Sequence, residues 1–205
     1  MAMTTDASRP AATVAALDEI ADPAPLGLSA FALTTFVLSA INAGLVAPGA
    51  KSVVLALTLF YGGAVQVVAG IWEFRKGNTF GATAFCSYGA FWLSYWGLSV
   101  FFKPTATTSV HDIDQALGYF LLAWTIFTVM LLVASLRTNL GLVATFVALT
   151  ATFVFLTLGR FAQSESLEKV GGWLGLLTAA FAIYSAAVAV VNATWKRQVL
   201  PVGKL

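Results

Sequence analysis

The residues of this chain that could handle a solute are uncharged. Polar side chains recur at helical spacing inside long apolar runs. Thr35 and Asn42 stand seven apart with Ser39 between them, and Thr58, Gly62 and Gln66 follow an i, i+4, i+8 pattern. Thr79, Thr83 and Ser87 repeat that pattern. Thr125, Thr128 and Ser135 mark a fourth run, Thr145, Leu149 and Thr152 a fifth, and Thr178, Ala182, Ser185 and Asn192 a sixth. Residues three and four apart share a helix face, so each run carries one mildly polar stripe. The hydroxyls, together with the amides of Asn42, Gln66 and Asn192, have the chemistry to donate hydrogen bonds to a carboxylate. Two readings of the stripes stay open. They line a polar pathway, or they only glue helices together, at about 0.6 kcal/mol per contact.

Charged chemistry is nearly absent from the runs. No Asp, Glu, Lys, Arg or His falls near the middle of any of them, whereas an internal proton relay needs ionisable groups there. Glu73 precedes Arg75 and Lys76 at the end of a run and reads as one partner of an interfacial ion pair. Arg160 ends another run and reads as snorkelling outward. His111 is the one histidine, beside Asp112 in a short loop, so no multi-histidine metal site is expected. Cys86 is the one cysteine and reads as a buried, inert thiol. No nucleophile–base–orienter set and no phosphate loop can be assembled. The expectation is therefore a non-enzyme without cofactor or metal. A net charge of +2 without a basic cluster gives no sign of nucleic-acid binding.

These side chains need long helices to position them. The 205 residues are 59% hydrophobic and 10% charged, with mean hydropathy +0.86, against roughly 25% charge in soluble domains. Apolar runs at about 25–45, 52–74, 79–102, 114–136, 139–160 and 170–195 each match the ~20 residues that cross a bilayer. Backbone in lipid must satisfy its own hydrogen bonds, so the runs predict six transmembrane helices. Run length and the lack of strict alternation exclude a β-barrel. The expected fold is an all-α membrane protein with a 22–195 transmembrane domain. Residues 1–21 form an N-terminal tail without signal-peptide features, either disordered or a short interfacial helix through Val14, Leu17 and Ile20. Residues 196–205 form the C-terminal tail. Lys and Arg number seven on the side of the termini (Arg9, Arg75, Lys76, Arg137, Lys196, Arg197, Lys204) and four on the other (Lys51, Lys103, Arg160, Lys169). That balance predicts both termini in the cytoplasm.

Asp22-Pro23-Ala24-Pro25-Leu26-Gly27-Leu28 opens the first run as a helix start. Asp22 is suited to accept from orphan N–H groups, and Pro23 and Pro25 fit the first turn. Leu-Gly-Leu recurs at 140–142 and 174–176, weak support for an internal repeat. Gly77/Gly81 and Gly171/Gly175 fit small-xxx-small helix packing. The third run is dense in aromatics, and Tyr88 lies at its centre, where its hydroxyl needs a partner in protein or in a cavity.

Residues 22–28 are similar to the Asn-Pro-Ala-Pro-Leu-Gly-Leu signature of the acetate uptake transporter family. Phe60-Tyr61-Gly62-Gly63 with Gln66 resembles a second signature. Lys76-Gly77-Asn78-Thr79-Phe80-Gly81, then Ser87-Tyr88-Gly89 and Phe91-Trp92, resembles a third. Gly172-Trp173 with Ile183-Tyr184 resembles the sixth helix. The likeness runs in order from about residue 20 to the C-terminus. It implies six helices around a pore within each protomer, a homo-hexamer in the plasma membrane, the bacterial inner membrane in particular, and uptake of acetate and similar small carboxylates, succinate among them. It also implies a hydrophobic constriction at Phe31, Tyr88 and Leu149, the last placed by its spacing from Trp124, and a pore-facing Ala182 linked with substrate size. Asp22 stands where the family has Asn; the cap survives, but its charge would repel an anion unless partnered.

The expected function is passage of acetate past that constriction, channel-like or proton-coupled. Thr35, Asn42, Tyr61, Gln66, Thr83, Ser87, Thr145, Ala182 and Asn192 are the candidate pathway residues. A facilitator of ammonia or another small neutral solute is the alternative substrate reading, and a non-transporting membrane scaffold the alternative class.

Overall fold

Five polar residues begin the helices that carry the site. In the computed structural model, which describes residues 20–201 and Gly203, every element is helical. Helix α1 spans Ala24–Asn42. Asp22 Oδ1 accepts from Ala24 N at 3.3 Å, as expected of the opening signature. Asn78 caps α4 (Thr79–Phe101) through Gly81 N at 3.1 Å, and Ser109 caps α5 (Val110–Ser135) through Asp112 N at 3.1 Å. Asn139 caps α6 (Leu140–Phe161) through Leu142 N at 3.0 Å, and Ser164 caps α7 (Glu165–Trp195) through Leu167 N at 3.4 Å. Each side-chain oxygen satisfies a backbone donor that the helix leaves orphaned.

The second run is a composite. A 3₁₀ turn at Pro48–Ser52 leads into α2 (Val53–Leu59), a π-helical turn at Phe60–Val65 and α3 (Gln66–Arg75). The sequence reading treated this run as one regular helix. The π-turn coincides with the Phe60–Gly63 signature, where Gly62 packs against the Thr34 side chain and Gly63 against the Thr58 carbonyl. Such turns are rare and are often found at functional sites.

Five stretches are long and apolar enough to cross a membrane: Ala24–Asn42, Gly49–Arg75, Val110–Ser135, Leu140–Phe161 and Glu165–Trp195. The fifth begins about a turn earlier than its sequence pattern suggested. Helix α4 has 23 residues and no charged one, but its Gly, Ser, Thr and Tyr content makes it less apolar than the others. Burial explains this composition, since Ala82, Phe85, Tyr88, Phe91 and Trp92 all lie in the protein interior.

The helices close into a ring. Helix α7 lies along both α1 and α6, α5 lies along α6, α3 lies along α4, and the α1 backbone meets α3 and the π-turn. Helices α4 and α5 complete the ring through aromatic side chains that hold their backbones apart. On the α1–α7 seam a Cβ at Gly172 would strike the Asn42–Ala43 backbone, and one at Gly175 would strike Ser39. These glycines permit the close approach that drives helix association in lipid. Large apolar side chains face outward, Phe60 at 66% exposure and Phe74 at 62% among them. Residues beyond α7 fold back: Asn192 Nδ2 donates to Leu200 O at 2.9 Å, Tyr184 Oη to Pro201 O at 3.1 Å, and Leu140 N to Gly203 O at 2.8 Å. The N-terminal tail, including the possible interfacial helix at Val14 and Leu17, lies outside the described residues apart from Ile20 and Ala21.

Candidate solute pathway

Two cavities lie inside the ring. The first, about 60 Å³, is at the Asp22 end and is lined by residues from Ala24 to Leu149, among them Phe31, Gln66, Asn78, Gly81, Tyr88, Thr145 and Leu149. The second, about 240 Å³, is at the Arg160 end, with Asn42, Lys51, Phe91, Tyr95, Phe153 and Arg160 in its wall. The same helices contribute to both in succession: Phe31 then Leu38 from α1, Tyr88 then Phe91 from α4, Leu149 then Phe153 from α6. Both cavities therefore lie along one axis, with a packed apolar barrier between them.

The structure brings Phe31, Tyr88 and Leu149 together. They are 6%, 3% and 3% exposed and share one core cluster with Ala182. The Phe31 and Tyr88 ring centroids are 5.6 Å apart. Tyr88 also meets Trp124 at 6.1 Å and Phe127 at 5.6 Å, which locks its ring. Its hydroxyl lies 2.9 Å from Thr128 Oγ1, and Thr128 already donates to Trp124 O at 2.7 Å. Tyr88 is therefore the donor, and its hydroxyl points into the helix packing rather than at a solute.

A second apolar layer was not anticipated. Phe91 and Phe153 meet edge to face at 5.5 Å, and Phe91 meets Trp124 at 5.1 Å. Each lies three or four residues beyond a first-layer residue on the same helix, so the helical period was the available signal. The barrier is about a helix turn thick.

Most hydroxyls of the polar stripes are committed to their own helix. Thr34, Thr125, Thr128, Thr145, Thr152, Thr178 and Ser185 each donate to the carbonyl four residues back, at 2.7–2.9 Å. Such a hydroxyl keeps its lone pairs but has no proton left for a carboxylate. The amides differ. Gln66 is fully buried, and neither its Nε2 nor its Oε1 has a partner. Thr35 Oγ1, Trp92 Nε1 and Tyr95 Oη are also buried without partners. Gln66 and Thr35 were foreseen; Trp92 and Tyr95 were not.

The remaining candidates separate. Asn42 lines the second cavity, and Thr145 and Gln66 line the first. Tyr61, Thr83 and Ser87 are half-buried and line neither cavity described. Asn192 uses Nδ2 on Leu200 O and Oδ1 on Val199 N and Leu200 N, so its amide holds the returning C-terminal segment. Pro23, Pro25 and Gly27 form the α1 start, where Gly27 gives room to the Phe85 ring.

Charge placement corrects two expectations. Lys76 Nζ pairs with Asp22 at 2.9 Å, not with Glu73, so the carboxylate at the mouth is partnered. Glu73 is fully buried and takes a hydrogen bond from Asn78 Nδ2 at 2.8 Å. Arg160 does not snorkel away: it bridges Asp114 and Glu168, both at 3.0 Å. Among the described residues no group of His, Cys, Asp and Glu has metal-site geometry.

Residues 5–205 match the model of the GPR1/FUN34/yaaH family. This chain belongs to that family. It is 42% identical over 186 residues to the Accumulation of dyads protein 2 of Saccharomyces cerevisiae, a match covering 89% of this chain and 66% of that protein. The chain thus spans about two thirds of the length of that longer family member. It is 39% identical over 186 residues to the succinate-acetate/proton symporter SatP of Escherichia coli K12, covering 91% of this chain and 97% of that one. Among solved structures, that of the bacterial acetate channel SatP superposes with a TM-score of 0.82 at 38% identity, over 90% of this chain and all of that one. Family membership and the apolar helices together make this a multi-pass membrane protein.

Proposed function

We propose that this protein carries acetate and related small monocarboxylates across a membrane through a pore within each protomer. The observation that supports the reading is the pair of cavities on one axis, separated by the Phe31–Tyr88–Leu149 layer, with the unpartnered Gln66 amide in the smaller one. The names of the family members above, symporter and channel, agree with it. In this proposal all six runs span the bilayer, α4 included, both termini lie in the cytoplasm, the membrane is the plasma membrane, and protomers assemble as a homo-hexamer.

Passage follows from the chemistry of the lining. A carboxylate entering the larger cavity meets Lys51 and the Asn42 amide, which offer donors before dehydration. The apolar barrier then admits only what fits between aromatic rings, and a methyl group suits it where a long chain does not. Beyond it, Gln66 Nε2 donates to the carboxylate, and the partnering of Asp22 by Lys76 reduces repulsion at the exit. No cation clamps the solute within the barrier, so binding stays weak enough for release. Thr145 contributes lone pairs and Ala182 shape, whereas the unpartnered Thr35 hydroxyl keeps its proton to donate.

Trimming Leu149 tests the assignment. In proteoliposomes Leu149→Ala is expected to speed uptake of carboxylates longer than acetate relative to acetate itself. A size preference identical to wild type would contradict the role of Leu149.

A further inference from the structure

Glu73 is the one acidic side chain among the described residues that is fully buried. It lies in the last turn of α3, seven residues after Gln66 and on the same face. Its Oε2 accepts from Asn78 Nδ2 at 2.8 Å, and its Oε1 has no partner. A neutral amide is thus its one donor, and no cation is within salt-bridge distance of it. The charged groups close enough to act on it are Asp22 and Lys76, and these are paired with each other. A carboxylate buried with a single neutral hydrogen bond is costly, and a proton on the free oxygen removes that cost.

The surroundings fix which oxygen takes the proton. The Asn78 amide cannot turn over, because its Oδ1 caps α4 through Gly81 N at 3.1 Å. Oε2 therefore stays an acceptor, and Oε1 is the free position. Asn78 and Gly81 both line the cavity at the Asp22 end. A Cβ on Gly81 would lie 3.0 Å from Oε1 and 2.8 Å from Glu73 Cδ. Glycine thus leaves the carboxyl separated from the cavity wall by a bare backbone.

We propose that Glu73 is a proton-binding site serving this cavity, exchanging a proton on Oε1 with a carboxylate held there. The inference rests on the carboxylate-transport reading above. In the outward direction the Glu73 Oε1–H bond breaks and an O–H bond forms on the substrate, which crosses the apolar barrier as the neutral acid, and a proton taken from water at the Asp22 mouth restores Oε1–H. Uptake runs the same steps in reverse: the acid that has crossed the barrier gives its proton to the Glu73 carboxylate, leaves as the carboxylate, and Glu73 releases that proton to water at the Asp22 mouth. Glu73 so couples solute movement to a proton without any ionisable group in the apolar barrier.

The test measures initial uptake of labelled acetate into vesicles holding wild type, Glu73→Gln or Glu73→Asp, after subtraction of protein-free vesicles. Rates are taken with and without an imposed inside-alkaline gradient of about one pH unit, which for one coupled proton is worth up to about tenfold. Wild type and Glu73→Asp are expected to be stimulated. Glu73→Gln is expected to lose the stimulation. Wild-type stimulation in Glu73→Gln overturns the proposal. So does the reverse ranking, with Glu73→Gln normal and Glu73→Asp impaired, which marks a residue needed for shape alone. If Glu73→Gln does not reconstitute, the infrared carbonyl band of a protonated carboxyl in the wild-type protein decides: its weakening on addition of isotope-labelled acetate, with growth of the isotope-shifted carbonyl band of the labelled acid, supports the proposal, and its absence at neutral pH overturns it. Protein-dependent acetate flux without any gradient response fails this inference alone, whereas absence of protein-dependent flux fails the transport reading as well.

Discussion

At the scale of single residues, the site is decided by which donors remain free. Threonine stripes suggest a polar pathway, yet their protons are spent on carbonyls of their own helices. Thr35, Gln66, Trp92 and Tyr95 are exceptions, each with a buried polar atom that has no partner, and of these Gln66 lines the cavity at the Asp22 end. A hydrogen bond to a charged group contributes about 1.5–3 kcal/mol. Gln66→Leu, which removes the amide at similar volume, is therefore expected to weaken acetate affinity roughly ten- to a hundredfold. The same change should leave Tm unchanged or raised, because an unsatisfied buried amide costs stability in the unliganded protein. Transport kinetics and a thermal melt in detergent check the two halves together. Asp22 makes the opposite case. Its ion pair with Lys76 is exposed, so Asp22→Asn is expected to change stability by less than about 1 kcal/mol. It should, however, free Lys76 to attract anions, raising acetate uptake at low salt and losing that advantage as salt screens it.

At the scale of elements, helix spacing made some features legible and hid others. The six runs, the opening cap and the buried stripe through Thr145, Leu149 and Thr152 follow from apolar length and a 3.6-residue period. Phe31 and Tyr88 stood out through signatures rather than periodicity, and the structure places both beside Leu149. The second layer at Phe91 and Phe153 obeys the same period but is indistinguishable in sequence from ordinary core. The π-turn at Phe60–Val65 was invisible, since one extra residue in a turn leaves composition unchanged. Glu73 was misjudged because proximity in sequence to Arg75 and Lys76 says nothing about which partner is nearer in space. Two glycines separate the roles of packing and propensity. Gly172→Val forces a side chain into the α1 backbone, where no flexible group can yield, and is expected to cost at least about 1–3 kcal/mol. Gly97 has open space around its Cβ position. Gly97→Ala should stabilise α4 by about 0.5–1 kcal/mol through backbone entropy, a rise of roughly 1–4 °C in Tm.

At the scale of the whole molecule, the proposed passage of a carboxylate needs no charged group inside the ring of helices. The charged residues gather at the two mouths: Asp22 with Lys76 at one end, and Arg160 with Asp114 and Glu168 at the other. Between them lie the two cavities and the apolar layers that separate these. Outward-facing Phe and Val leave the ring an apolar exterior suited to lipid or to neighbouring protomers. If protomers form a hexamer, mass measured by light scattering in detergent, corrected for bound detergent, should be six times that of the chain. The central claim is that a thin apolar barrier selects small carboxylates by size. Its most direct test is protein-dependent uptake of labelled formate, acetate, propionate and butyrate by wild-type proteoliposomes. The account predicts flux of the small acids with a steep fall as the chain lengthens beyond acetate. Uptake equal to that of protein-free vesicles, or flux indifferent to chain length, would contradict it.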